Sequence, residues 1–498
     1  MPTTNIKRPK SPKIYEINTW PWLKFLSEKC NKPITLDVVP EEVIRKEFNY
    51  FDAIWLMGVW ERSPQGRKIA IDHPDLQKGY RTALGYFSTD DIVGSPYAVY
   101  YYHVDSHLGG KDGLASFRKK LSNSGLRLIL DYVSNHVAID HMWTLEKSDI
   151  FVKGSLEEQI KRPYDFFSAS GQIYAHGKDP YFPPWTDTVQ INAFSEEARK
   201  KTINTLLNIA AQCDGVRCDM AMLLTNDVFK RTWGNRVSEP LKEEFWVEVI
   251  TAVKKKYPDF LFIAEVYWDL ERKMQQQGFD YCYDKTLYDR LIRDDAESIR
   301  THLNTDIEYQ NKLLRFIENH DEKRATEVFA EKKLKAAANI ILTLPGSKLI
   351  HEGQMHGYKI QLPIQLGRRE SEEENKELFN FYQNLLRITK EKNLDKGEWS
   401  LCIIEPIDDD LSYKNLISYI WSINNQKHLI VVNFSDYLAK GHVRIEGIKY
   451  GLENWTFTDL LANKTYTYKG QDLLTYGLFV KLDAWQAHLF EIKKSSNI

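Results

Sequence analysis

Four apolar runs along this chain each end in acidic or histidine side chains. The runs are residues 128–136, 215–219, 260–265 and 313–321. Short apolar runs of this kind are typical of parallel strands that are buried on both faces. The carboxyl ends of parallel barrel strands meet at one rim, where barrel enzymes hold their functional residues. The pattern therefore predicts a parallel β-barrel with a functional site at the carboxyl-terminal rim.

The second run places a cation beside a carboxylate. Side chains alternate along a strand, so Arg217 and Asp219 point to the same side. A neighbouring guanidinium keeps a carboxylate ionised and fixes its orientation. An ionised, oriented aspartate is what nucleophilic attack on a sugar carbon requires. Arg–Asp pairs on strands are mostly structural, so this pair gains a functional interpretation only with the other three runs.

Taken together, these residues give the chain a resemblance to the α-amylase family, glycoside hydrolase family thirteen. Four of the family's sequence regions are matched in order by Asp131 with Asn135 and His136, by Gly215–Asp219, by Glu265, and by residues 319–321. Residues 185–192 resemble a further region. The resemblance implies an α/β fold: a (β/α)8 TIM barrel with an excursion domain after strand 3 and a C-terminal antiparallel β-sandwich.

The domain boundaries follow from changes in pattern along the chain. We expect the barrel in residues 14–132 and 196–395, the excursion domain in residues 133–195, and the β-sandwich in residues 396–498. The alternation over residues 14–20 predicts the first barrel strand. The stretch 136–192 lacks clear periodicity, and a loop of this length is usually functional. After about residue 400 the chain shows short strands separated by turns, such as the one at Asn424 and Asn425.

The resemblance also implies roles for individual residues. The catalytic residues would be Asp219 as nucleophile, Glu265 as acid/base and Asp321 as stabiliser. The substrate-binding residues would be Tyr97, Asp131, His136, Arg217 and His320. Tyr97 best matches a tyrosine that stacks under the cleaved sugar, whereas residues 100–102 are alternatives that could serve packing. Without the resemblance, both histidines would be interpreted as hydrogen-bonding to backbone at the rim.

The two central carboxyl groups have different sequence surroundings. Asp219 lies two residues after Arg217, whose charge lowers the pKa of a neighbouring carboxyl group. Glu265 follows an apolar run, which could raise the pKa of its carboxyl group. Cleavage of a glycosidic bond needs one ionised and one protonated carboxyl group. With these surroundings, the resemblance implies a retaining α-glycoside hydrolase that acts on α-glucan or maltooligosaccharide substrates through a covalent glucosyl–Asp219 intermediate.

Two alternatives stay open. An α-glucan transglycosylase would use the same catalytic residues and the same intermediate. A catalytically silent carbohydrate-binding or scaffold protein on this fold predicts the loss of one or more acids, which is not seen. The chain also departs from the family pattern at Met222 and Leu223, where endo-acting amylases carry a basic residue and a histidine. We expect this departure to favour short oligosaccharides over insoluble starch.

No cofactor is expected, and calcium is the alternative. Asn135 matches a position that binds calcium in some family members, and Asp187 could supply a second oxygen ligand. The net charge of −2 does not favour nucleic acid or an anionic membrane surface. The expected partner is therefore an α-glucan or oligosaccharide substrate, with no nucleic acid and no membrane.

The cysteines and the start of the chain bear on location. Five cysteines occur without metal-ligand spacing, and an odd number favours free thiols in a reducing compartment. Residues 1–13 are polar and lack the apolar segment of a secretory signal, and no apolar stretch of about 18 residues occurs. These features together predict a cytoplasmic protein.

Overall fold

The computed structural model describes residues 9–146, 149–423, 426–448 and 450–495. The predicted turn at Asn424 and Asn425 and the first eight residues lie outside this part of the chain. Contacts divide the chain into two compact units. The first contains residues 14–283 and 360–371, and the second contains residues 9–13, 284–359 and 372–498.

Eight parallel strands form a closed barrel in which chain neighbours pair and the last strand pairs with the first. The strands are β1 (Lys13–Asn18), β2 (Ala53–Met57), β3 (Arg127–Val133), β4 (Gly215–Asp219), β5 (Leu261–Ala264), β6 (Tyr281–Tyr283), β7 (Leu313–Arg315) and β8 (Ser347–His351). All eight are buried along their whole length, as expected for parallel strands covered on both faces. The predicted (β/α)8 TIM barrel is confirmed.

Helices separate the barrel strands. In the first unit the α-helices are Thr19–Cys30, Glu41–Glu47, Pro64–Asp72, Pro74–Leu84, Gly110–Asn123, Leu156–Lys161, Glu196–Ala210, Asn226–Trp233, Phe245–Lys256 and Glu271–Gln276. In the second unit they are Lys285–Arg293, Ala296–Leu303, Ile307–Asn311, Ala325–Val328, Glu331–Thr343, Lys376–Glu391 and Gly470–Tyr476. Short 3-10 helices occupy Leu36–Val38, Thr89–Asp91, Ser106–Leu108, Met142–Leu145, Ala221–Leu224, Gly234–Arg236, Leu394–Lys396 and Leu411–Asn415.

Three small antiparallel sheets lie outside the barrel in the first unit. They pair Trp60–Arg62 with Val99–Val104, His136–Ala138 with Thr188–Gln190, and Phe166–Ala169 with Gln172–Ala175. The second and third sheets fall within the predicted excursion domain. The pairing of 136–138 with 188–190 joins the start of this segment to its end.

The C-terminal part of the second unit is built from two antiparallel sheets. One contains, in spatial order, Glu398–Leu401, Leu416–Ile423, Gln426–Asn433, Ala487–Lys494, Asn454–Asp459 and Lys464–Lys469. The other contains Ile403–Glu405, Ala439–Arg444 and Leu478–Leu482. Residues of both sheets, including Leu429, Val443, Val480 and Phe490, share one buried apolar cluster. The predicted C-terminal β domain is thus confirmed, while the exact domain boundaries stay a prediction.

The first strand is shorter than the alternation predicts. β1 stops at Asn18, and Thr19 and Trp20 begin a helix that continues to Cys30. The Asn18 side chain makes no capping hydrogen bond, so the usual start signal of a helix is missing. The hydroxyl of Thr19 instead donates to the carbonyl of Met57 at the end of β2.

Candidate active site

The centre of the site is one arginine that contacts two carboxylates. Arg217 Nη1 lies 2.8 Å from Asp219 Oδ1, and Arg217 Nη2 lies 2.8 Å from Glu265 Oε2. Strand pairing brings them together, because Arg217 is opposite Ile263 on β5, and β5 ends at Ala264, directly before Glu265. All three side chains are buried, and paired charges of this kind are the form in which buried ions are tolerated.

Aromatic rings surround the guanidinium. Its central carbon lies 5.2 Å from the ring centroid of Tyr97, 5.4 Å from that of Trp55 and 5.7 Å from that of Tyr283. Nε of Arg217 also donates to the Tyr283 hydroxyl over 3.3 Å. Burial alone would lower the pKa of Arg217, but the neighbouring carboxylates and tyrosines outweigh it and raise this pKa well above its usual value. Arg217 is therefore a permanent cation at the base of the site.

Sequence reasoning connected Arg217 with Asp219 but not with Glu265. An apolar run before Glu265 suggested a carboxyl group without charged neighbours. In the structure Glu265 Oε2 also accepts a 2.6 Å hydrogen bond from the backbone N–H of Met220, and Oε1 accepts a 2.7 Å hydrogen bond from the hydroxyl of Tyr267. These contacts suit an ionised carboxylate.

Asp131 lies at the same register on β3, opposite Arg217. Its Oδ1 accepts a hydrogen bond from Trp55 Nε1 over 3.1 Å, and its Oδ2 accepts one from the N–H of Gly58 over 3.0 Å. The indole of Trp60 donates to the Asp131 carbonyl. Asp131 therefore holds the end of β2 in place, and its role in substrate binding stays a prediction.

A glycine is required where β2 meets Asp131. Gly58 has a positive φ of 75°, which glycine adopts without steric cost. A Cβ atom here would lie 2.9 Å from the Cβ of Pro96. The close approach lets the Gly58 N–H reach the carboxylate.

His136 and Tyr97 lie next to each other. Burial lowers the pKa of His136 to about 4, although a hydrogen bond to the Tyr97 backbone opposes this shift. The imidazole is therefore neutral at pH 7, and its ring centroid lies 5.1 Å from that of Trp185. Among the alternative tyrosines, Tyr102 hydrogen-bonds to the Val133 carbonyl.

The third predicted acid belongs to the second unit. Asp321 follows β7, and its side chain is 42% exposed. Nε2 of the buried His320 lies 3.0 Å from Asp321 Oδ2. The side-chain oxygen of Asn319 accepts hydrogen bonds from the backbone N–H groups of Asp321 and Glu322, which fixes the turn that presents the carboxylate.

Met222 and Leu223, where the chain departs from the family pattern, are both buried. Both lie in the 3-10 helix Ala221–Leu224, with exposures of 0% and 2%. Their effect on the site is the absence of two polar side chains.

The residues proposed for calcium do not fit the ion. Asn135 and Gln190 form a buried, reciprocal amide pair with contacts of 3.1 Å and 2.9 Å, and Gln190 Nε2 also donates to the carbonyls of Asn135 and Ile191. Burial raises the pKa of Asp187 to about 6, so its carboxyl group, although ionised at neutral pH, lies in a setting that disfavours charge. Within the described ranges, no group of three or more histidine, cysteine or acidic residues could hold a metal.

The cysteines that bear on location form no disulfide with one another. All five lie in the described part of the chain: Cys30, Cys213, Cys218, Cys282 and Cys402. Burial raises the pKa of Cys218, which lies between Arg217 and Asp219 on β4. Its thiol is therefore protonated at neutral pH and takes no part as a nucleophile.

A closed parallel barrel with buried carboxylates at its carboxyl-terminal strand ends defines a class of barrel enzymes. Within this class the chain belongs to the α-amylase family, because residues 51–374 match the alpha amylase catalytic domain. It is 23% identical over 409 residues to the α-amylase MalA of Haloarcula japonica, covering 80% of this chain and 53% of that protein. It is 22% identical over 341 residues to the intracellular maltogenic amylase of Bacillus subtilis, covering 64% of this chain and 53% of that protein.

The chain thus spans about half the length of these curated relatives. A solved structure with a similar fold is a noncanonic maltogenic α-amylase from Thermotoga neapolitana. The TM-score is 0.69 at 20% identity, and the match covers 97% of this chain and 98% of that one. Throughout the described part of this chain, every helix is too short or too polar to cross a membrane.

Proposed function

We propose that this chain is a retaining α-glycoside hydrolase that acts on α-glucans or maltooligosaccharides. Asp219 is the nucleophile, Glu265 is the acid/base, and Asp321 stabilises the transition state. The observation that carries this proposal is the Arg217 guanidinium, which contacts both Asp219 and Glu265 at 2.8 Å. One planar group bridging both carboxylates favours the short separation of retaining enzymes, roughly 5–5.5 Å, over the roughly 6.5–9.5 Å of inverting ones.

The chemistry follows from these positions. Asp219 is buried and paired, so it is ionised and oriented for attack on the anomeric carbon. Glu265 protonates the leaving oxygen in the first step and, as a carboxylate, takes a proton from water in the second. Its contacts with Arg217, Met220 and Tyr267 fit the ionised form that acts as base.

Substrate recognition rests on the rim residues. A neutral His136 can donate or accept one hydrogen bond to a sugar hydroxyl, because burial keeps it uncharged at neutral pH. Tyr97 presents an aromatic ring beside Arg217. The names of the relatives, an α-amylase and a maltogenic amylase, support an α-glucan substrate. Met222 and Leu223 are buried, so the proposed preference for short oligosaccharides depends only on the absence of polar side chains at these two positions.

Product analysis on maltose, maltotriose, maltoheptaose and soluble starch tests the proposal. Proton NMR should show the α-anomer as the first product, and Asp219→Asn should abolish turnover of every substrate. Asp227→Asn is the control, since Asp227 is an exposed surface acid on Asn226–Trp233. A β-anomer would exclude retention. Products longer than the substrate would assign a transglycosylase, and no turnover by the wild type would assign a silent binding protein.

A further inference from the structure

The two oxygens of Glu265 have chemically different partners. Oε2 faces Arg217 Nη2 at 2.8 Å and the Met220 backbone N–H at 2.6 Å. Oε1 faces the Tyr267 hydroxyl at 2.7 Å. Tyr267 lies two residues after Glu265 and is half-buried, so the same loop that carries the carboxyl group also carries its partner.

The partners differ in what they can do when Glu265 is protonated. A guanidinium and a backbone N–H can only donate hydrogen bonds. A proton on Oε2 would point at these donors and would disrupt two short contacts. A tyrosine hydroxyl can donate or accept, and it rotates to suit its neighbour. A proton on Oε1 therefore keeps these three contacts satisfied, because Tyr267 changes from donor to acceptor.

We propose that the proton Glu265 delivers is carried on Oε1, and that the Tyr267 hydroxyl holds it there until it is transferred. This inference rests on the function proposed for Glu265. Tyr267 is a positioning residue, since it acts through Glu265 and not on the sugar.

The proton balance is complete in both steps. In the first step the Oε1–H bond breaks and the proton goes to the glycosidic oxygen, while the C1–O bond breaks and the C1–Asp219 bond forms. The Tyr267 hydroxyl then turns to donate to the ionised Oε1, which is the arrangement seen here. In the second step a water O–H bond breaks and its proton returns to Oε1. The water oxygen bonds to C1 as Asp219 leaves.

The position of Tyr267 predicts two separate effects of removing its hydroxyl. Without the Tyr267 hydroxyl, Oε1 loses the acceptor that favours it over Oε2 as the site of the proton, so proton transfer slows. Without a donor the ionised Glu265 loses a charge-assisted hydrogen bond, so the protonated form persists to higher pH. A group that only packs against the loop would change neither property.

The experiment compares Tyr267→Phe with wild type on a maltooligosaccharide and on α-glucosyl fluoride, whose leaving group needs no proton. We expect kcat/KM for the maltooligosaccharide to fall about 10-fold, part of the roughly 10²–10⁴-fold that a general acid contributes. The alkaline limb of the pH profile of kcat/KM for the maltooligosaccharide should move to higher pH. For α-glucosyl fluoride, the rate of the glycosylation step is measured as fluoride release in a single turnover. This rate should stay within about twofold of wild type.

Three controls separate the possible failures. Tyr80→Phe removes the hydroxyl of a different tyrosine, which donates to the Ala70 carbonyl, and should change neither kcat/KM nor the alkaline limb. Melting temperatures confirm that each variant is folded. If Glu265→Gln is inactive on the maltooligosaccharide while Tyr267→Phe keeps the wild-type rate and limb, the inference about Tyr267 is wrong. If Glu265→Gln keeps full activity, the proposed function of Glu265 is wrong instead.

Discussion

The backbone N–H of Met220 donates a 2.6 Å hydrogen bond to Oε2 of Glu265. Met220 directly follows Asp219, so the residue next to one carboxylate binds the other. Met220 adopts φ 42° and ψ 44°, the left-handed region. This conformation is costly for most residues and tolerated by asparagine. The strain at Met220 is thus linked to the position of Glu265.

A pair of substitutions tests this strain. Met220→Ile places a β-branched residue at a positive φ and should lower the free energy of unfolding by about 1–2 kcal/mol relative to Met220→Asn. Urea unfolding of both variants measures the difference. Equal stability of the two variants would show that the backbone relaxes here without cost.

Replacing the bridging arginine should affect activity more than stability. Arg217→Lys keeps the charge, but one ammonium group cannot reproduce the planar fork that reaches both Asp219 and Glu265. We expect kcat/KM to fall by at least about 100-fold, a loss of about 2.7 kcal/mol in transition-state stabilisation. The matched control is Arg118→Lys, because Arg118 pairs with Asp214 in a partly exposed setting. A similar loss in both variants would contradict the bridging role of Arg217.

The amide pair predicts independence from calcium. Excess chelator should leave the melting temperature unchanged, measured by differential scanning fluorimetry with and without added calcium. Gln190→Glu should lower the free energy of unfolding by about 3 kcal/mol or more. The substitution replaces the Nε2 donor by a carboxylate oxygen that faces the carbonyl oxygens of Asn135 and Ile191. Gln172→Glu, in a partly exposed strand, is the control. A large drop in melting temperature on chelation would contradict the interpretation of Asn135 and Gln190 as an amide pair that needs no calcium.

Acid sensitivity is expected from a buried histidine in the C-terminal sheets. Burial lowers the pKa of His428 from 6.5 to about 4, and Nε2 lies 3.8 Å from Glu491 Oε1. Between these pH values the unfolded chain binds more protons than the folded one, so stability falls as the pH drops from 6.5 to 4. This loss of unfolding free energy is on the order of 3 kcal/mol between pH 6.5 and pH 4. It should be absent in His428→Leu.

Chemical unfolding at pH 7 and pH 4.5 measures the acid sensitivity. The exposed His107 provides the control, and His107→Leu should leave the pH dependence of the wild type unchanged. An equal pH dependence in His428→Leu and wild type would assign the acid sensitivity to other groups.

The barrel and its carboxylates were predictable from sequence for a physical reason. A strand buried on both faces is mostly apolar, so a polar residue at its carboxyl end marks the rim, as Glu265 does after β5. The helix Thr19–Cys30 was not predictable, because it starts without a side-chain cap and the alternation of β1 runs into it.

The surroundings of the carboxylates were not predictable either. Trp55 and Tyr283 reach Arg217 from strands that lie far from it in sequence. The contacts of Glu265 with Arg217 and Met220 depend on the register between β4 and β5 and on a left-handed backbone turn. A local sequence pattern contains neither the strand register nor this backbone conformation, so the charged and hydrogen-bonding neighbours of Glu265 could not be predicted from it.

The Asn135–Gln190 pair has a consequence for how this chain could be altered. The two residues are 55 positions apart, and the strand pairing of His136–Ala138 with Thr188–Gln190 closes the same loop beside them. The start and the end of the intervening segment are therefore held together at its base, between β3 and β4. Because the ring of Trp185, inside this segment, also lies 5.1 Å from that of His136, a change within residues 139–187 would be felt at the rim even though the two ends of the segment stay joined.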